Sequence, residues 1–154
     1  MSLEESVSKK YIHYGHKKFD RKRFTPIRNC RGFTKPYGGF WASPVDAEFG
    51  WKDWCDREDF RECSLSCSFT FTLSPEARVL YIDDVSKLDG LPQAEYEFAL
   101  SEWRLLDFEK LLGQGYDAVE MNLSSDGRLY WALYGWDCDS ILILNPDVIM
   151  EVVE

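Results

Sequence analysis

Two histidines, His13 and His16, and five cysteines, Cys30, Cys55, Cys63, Cys67 and Cys138, are the soft nucleophiles and metal ligands of this chain. No Cys-x-x-Cys pair occurs, so a zinc site would have to be assembled from distant pieces, and no metal is expected. A Cys–His nucleophile pair is compatible with the composition, but Cys55 and Cys67 fall on apolar faces, where a small buried hydrophobe is the commoner role. Gly113-Gln114-Gly115 precedes a strand pattern, not a helix, and so lacks the setting of a dinucleotide-binding glycine loop. What remains is His13 in a short β-prone stretch, Trp41 in a glycine-led one, and Glu120 in a late one.

The elements that must position these residues can be read from period and punctuation. Tyr11-Ile12-His13-Tyr14 is a short strand closed by Gly15, and Gly39 to Ser43 is a second, ended by Pro44, which biases the residue before it toward extended geometry. Lys17 to Pro36 has no clear period and reads as a basic loop with short extended pieces. Gly50 to Phe60 is an amphipathic helix, with Trp51, Trp54 and Cys55 on one face. Ser66 to Leu73 alternates cleanly and is a half-buried strand; Arg78 to Ile82 is another, joined to it through the turn at Ser74-Pro75-Glu76. Gln93 to Trp103 is read as helix, and Asp107 as the N-cap of a short helix ending at Gly113. Tyr116 to Asn122, Leu129 to Tyr134, Ile141 to Leu144 and Val148 to Val153 are read as strands, with a turn at Ser125-Asp126-Gly127. Trp136-Asp137-Cys138-Asp139 is read only as a turn stabilised by its Asp side chains.

Short strands outnumber helices and show no regular βαβ alternation, so the expected class is α+β with mainly antiparallel strands. At 154 residues, one domain spanning 1–154 is expected. The composition, 45% hydrophobic and 16% aromatic, supplies enough apolar surface to exclude global disorder. No apolar run is long enough to span a bilayer, and Met1 to Lys10 is too polar for a signal-peptide core, so a cytoplasmic location without membrane partners is expected. An odd number of dispersed cysteines fits reduced thiols there.

The net charge of −9 is unevenly distributed. Lys9 to Tyr37 carries ten Lys or Arg against the single acidic Asp20, which leaves eight basic and twenty-six acidic residues elsewhere. Such a body repels nucleic acid while its basic segment attracts a small anion, unless that segment simply pairs with the protein's own acidic surface.

Taken in order, Tyr11-Ile12-His13-Tyr14-Gly15, Gly38-Gly39-Phe40-Trp41-Ala42-Ser43 and Tyr116-Asp117-Ala118-Val119-Glu120 resemble the motif set of the ADP-ribosyltransferase-like superfamily, in its His-Tyr-Glu branch. The resemblance implies two small sheets forming a split β core with flanking helices and NAD in the cleft between them. It further implies that His13 hydrogen-bonds the adenosine ribose and that Tyr14, Gly15 and Gly39 belong to the binding strands, with the Gly15 backbone at nicotinamide. Trp41 stands where the family has Tyr and offers a π face to the nicotinamide ring. Ser43 adds a ribose contact, and Arg28 or Arg31 pairs with the pyrophosphate. Glu120 stabilises positive charge as nicotinamide leaves. Ala118 stands where arginine-modifying members carry a second glutamate, which points to a non-arginine acceptor: another protein side chain, a nucleic-acid group, a small molecule or water.

The function expected is therefore an NAD-dependent ADP-ribosyltransferase. Its alternatives are a non-catalytic nucleotide-binding member of the same fold, and an acidic interaction protein such as an inhibitor, immunity factor or phage accessory protein. Convergence of His13, Trp41 and Glu120 on one pocket separates the first from the last.

Overall fold

The alternation at Phe69, Phe71 and Leu73 requires a partner on one side only, and the strand it builds lies within a seven-stranded sheet. The computed structural model describes residues 9–30, 34–94, 104–133 and 136–151. Its strands are β1 (Tyr11–Tyr14), β2 (Phe40–Pro44), β3 (Ser68–Leu73), β4 (Val79–Ile82), β5 (Ala118–Met121), β6 (Ser140–Ile143) and β7 (Ile149–Glu151). Across the sheet the order is β4-β5-β6-β2-β1-β3-β7, and every pairing is antiparallel except the parallel β4 with β5. Three α-helices accompany it among the described residues: α1 (Trp51–Glu58), α2 (Phe108–Gly113) and α3 (Leu129–Ala132). The class is α+β.

The strands form one sheet where two small ones were expected, and the seam between its halves is narrow. β1 pairs with β2 only at Tyr11 opposite Pro44 and Ile12 opposite Ser43. The Val45 N–H donates to the Lys10 carbonyl, so hydrogen-bonded pairs fall at every second residue, and the next would be Tyr14 with Trp41. There the His13 imidazole Nδ1 donates to the Trp41 carbonyl at 2.8 Å. A side chain takes the place of a ladder bond, and the strands part.

Alternation divides the core between the two faces. Ala42, Ala118, Ile141 and Ile143 share one face with Tyr11 and Phe71, while Val119, Met121 and Leu142 share the other with Leu111, Phe108, Leu129 and Trp136 of the helical layer. The first face is concave: the Tyr11 hydroxyl of β1 donates to Glu120 Oε1 of β5 at 2.5 Å. Three strand spacings separate them, about 14 Å on a flat sheet, so the sheet curls into a half-barrel.

Three sequence readings are corrected. The described part of the stretch read as a strand, Leu129 to Leu133, is not one: Leu129, Ala132 and Leu133 are buried at helical spacing, and the expected turn, closed by the Leu129 N–H on the Asp126 carbonyl, leads into α3. The turn after β3 forms, with the Ala77 N–H on the Ser74 carbonyl, but it does not make a hairpin. Both sides of β3 are already taken by β1 and β7, and β4 crosses to the far edge of the sheet beside β5. Gln93, read as the start of a helix, instead bridges Leu106 in extended geometry; the rest of that reading, residues 95–103, lies outside the described residues, as do Val152 and Val153 of the last strand. Asp107 caps α2 as expected, accepting from the Lys110 N–H. No helix among the described residues is long and apolar enough to cross a membrane.

Candidate ligand-binding site

Where β1 and β2 part, a cavity of about 230 Å³ opens on the helical side of the sheet. Its floor is Ile12, His13 and Tyr14 of β1 and Trp41, Ala42 and Ser43 of β2; its walls are Trp51 of α1, the segment from Trp136 to Cys138, and Ser140; Lys35 and Arg61 complete the lining. Trp41 packs edge-on against Trp136 with centroids 4.8 Å apart, and the Lys35 ammonium lies 5.2 Å from the Trp41 ring centroid. Trp136 is itself fixed, its indole N–H donating to the Thr34 carbonyl at 3.3 Å.

The wall of α1 is held by Ser43. Its hydroxyl donates to the Asp139 carbonyl and accepts from the Trp51 N–H, both at 2.9 Å, while Asp53 accepts from the Gly50 N–H at the same distance. These bonds satisfy N-terminal donors of α1 that no helical turn can reach, and they set Trp51 over the opening. The helix ends at Asp59 in left-handed geometry with φ of 53°, which turns the chain toward Arg61. On the other side, the buried Asp139 carboxylate accepts from the Phe49 N–H and from both the N–H and hydroxyl of Ser124. Where a turn closed by its own Asp side chains was expected, Asp139 instead ties the segment to Phe49 and Ser124, and so places Trp136, Asp137 and Cys138 at the cavity.

His13 has a defined tautomer. A carbonyl only accepts, so Nδ1 carries the proton facing Trp41, and Nε2 receives from His16 Nδ1 at 3.1 Å. Stacking on Phe40 at 4.3 Å buries the ring, and burial holds its pKa below the usual histidine value, so it is neutral at pH 7. Burial likewise raises the pKa of the Asp137 carboxyl, against an opposing pull from Lys35, and pushes the Cys138 thiol up to about 12. Cys138 is thus a protonated wall residue and no nucleophile.

Comparison with family models, with curated proteins and with solved structures returns no match for this chain. The site rests on its own geometry.

That geometry brings some expected residues together and separates others. Tyr14, Trp41 and Ser43 line one cavity; His13 borders it where the strands part, but its ring stacks on Phe40 and Phe69 on the concave face with Tyr11. Gly15, Arg28 and Gly39 do not line it. The Gly15 N–H donates to Cys67 and Arg28 is tied by its backbone to Tyr37. Gly39 serves packing: at φ of 73°, a Cβ there would meet Leu142 Cδ1 at 2.6 Å. Arg31 lies outside the described residues. Glu120 does not face this cavity, because β5 alternation aligns it with Ile141 and Ala42 on the concave face while Trp41 points to the opposite one. It is buried there, bonded to Tyr11 and paired with the Lys9 ammonium. His13, Trp41 and Glu120 therefore do not converge on one pocket. Lys35, Arg61, Trp51, Trp136 and Asp137 are among the lining residues that the sequence reading did not assign to a site. Lys35 belongs to the basic segment already marked as anion-attracting; nothing in the local pattern marks Arg61.

Proposed function

We propose that this chain is a nucleotide-binding domain, that it takes one mononucleotide half of NAD in the β1–β2 cavity, and that it does so without transfer; the separation of Glu120 from His13 and Trp41 removes the support that the motif order lent to an ADP-ribosyltransferase-like site. What carries this reading is the meeting of tryptophan faces with two cations, Lys35 and Arg61, in one cavity. A planar ring lies against Trp41, and the adjoining phosphate is met by the ammonium and guanidinium. The ligand fits in part only. Sites for drug-sized ligands run to about 300–1,000 Å³, so a cavity of about 230 Å³ takes one ring with its ribose and leaves the rest of a dinucleotide at the surface.

Transfer of ADP-ribose to a non-arginine acceptor would require Glu120 at the ribose, and the separation of Glu120 from the cavity favours binding over transfer. Titration of NAD against tryptophan fluorescence tests the binding. Quenching should saturate in the micromolar to millimolar range, and Lys35→Ala and Arg61→Ala should each weaken it by about tenfold, the scale of one lost charge-assisted contact. No saturable quenching at millimolar NAD overturns the reading. Release of labelled nicotinamide by the wild type, abolished in a folded Glu120→Gln variant, would restore the transferase reading in its place.

A further inference from the structure

Glu120 has a setting of its own on the concave face. Its side chain is 4% exposed; Oε1 accepts from the Tyr11 hydroxyl at 2.5 Å and Oε2 meets the Lys9 ammonium. The same ammonium lies 5.7 Å from the Tyr11 ring centroid and 5.4 Å from that of Tyr81. One carboxylate and two π faces around a single nitrogen is the chemistry that recognises an alkylammonium.

The receptor and its occupant differ in how firmly they are held. Glu120 and Tyr11 are buried in strands, whereas the Lys9 side chain is 44% exposed and precedes β1. Beside them lies a cavity of about 250 Å³ whose lining includes Lys9, Tyr81 and Glu120 together with three further carboxylates: Asp46, Glu48, and Asp139, which is already engaged by Phe49 and Ser124. A ligand with one ammonium has no use for that second negative group. A metal ion is poorly served as well, since no cluster of three or more His, Cys, Asp or Glu among the described residues could hold one.

We propose that this is a binding site for an aliphatic polyamine, and that Lys9 occupies it from within the chain until a polyamine displaces it. One terminal ammonium replaces that of Lys9 on Glu120, against Tyr11 and Tyr81. The methylene chain crosses the cavity, and the next ammonium pairs with Asp46 and Glu48. The acidic body of the protein raises the local concentration of such a polycation. Lys9, being tethered, competes at a high effective concentration, so the site is weak in the wild type and strengthens when Lys9 is shortened. The proposal is independent of nucleotide binding on the other face of the sheet.

Spermidine titrated by calorimetry into the full chain tests it. Lys9→Ala should bind at least about tenfold more tightly than wild type, because the internal competitor is gone. Lys10→Ala makes the same change in net charge and should leave affinity unchanged. Adding Glu120→Gln to Lys9→Ala should abolish the gain. If that double variant does not fold, Tyr81→Leu in the Lys9→Ala background decides, since Tyr81 is partly exposed and its loss should reverse most of the gain. Equal affinities for Lys9→Ala and Lys10→Ala overturn the proposal, as does a gain that survives both the Glu120 and the Tyr81 substitutions.

Discussion

Cys138 and His13 show how environment sets the chemistry of single residues. Burial pushes the thiols of Cys138 and Cys55 up to about 12, so at pH 8 almost none of either is thiolate. Cys67 is the one cysteine that is not buried. Iodoacetamide at pH 8 should therefore label Cys67 in the native protein well before Cys55 or Cys138, as peptide mass spectrometry would record. For His13 the sign runs the other way from an ion-paired histidine. Its folded pKa lies below the unfolded value of 6.5, so between them the unfolded chain binds more protons and stability rises with pH. Acidification from pH 7 to pH 5 should lower the melting temperature, and His13→Gln should flatten that dependence; an unchanged slope would show that His13 is not its source. Neither shift is legible in a sequence. Spacing places Cys55 on a buried helix face, as the structure shows, but Cys67, expected on the buried face of its strand, lies in the 3-10 turn before β3 and is only half-buried, while Cys138 and His13 are enclosed by elements far away in the chain.

Caps and turns were the elements that local sequence described best. Asp107 before an apolar run is a helix start whatever surrounds it, and the structure adds that Asn29 donates to its carboxylate and accepts from the Phe108 N–H. Asp107→Ala should cost about 1 kcal/mol, lowering the melting temperature by roughly 2–4 °C in a domain of this size. Ser43→Ala should cost about 1–2 kcal/mol, because it leaves the Trp51 N–H and the Asp139 carbonyl without that partner. Its distinguishing mark is faster hydrogen exchange confined to α1. Readings failed where one pattern had two solutions. Leu129 to Leu133 satisfies both a strand and a one-turn helix, and the buried set, Leu129, Ala132 and Leu133 with Trp131 exposed, has the helical spacing. The turn after β3 is sound chemistry for a hairpin, but pairing is decided by which edges are free.

On the scale of the whole molecule, the charge division keeps its meaning while its carrier changes. Within the basic segment Lys35, not Arg28, reaches the cavity, joined by Arg61 from beyond α1. If anion binding rests on those two cations, NAD affinity should fall as salt rises from 50 to 500 mM, because exposed charges are screened over about 8 Å already at physiological ionic strength. A salt-independent affinity would assign the binding to stacking alone. The sequence by itself determined the α+β class, most strand positions, the caps and the positive segment, because these follow from neighbours a few residues apart. Only the tertiary structure decided that the strands make one curled sheet, that Trp136 and Arg61 join Trp41, and that Glu120 stands away from them. A strand's alternation assigns its residues to two faces, but which face meets which cavity depends on strand order, and strand order is set by contacts between residues as distant as Tyr11 and Glu120.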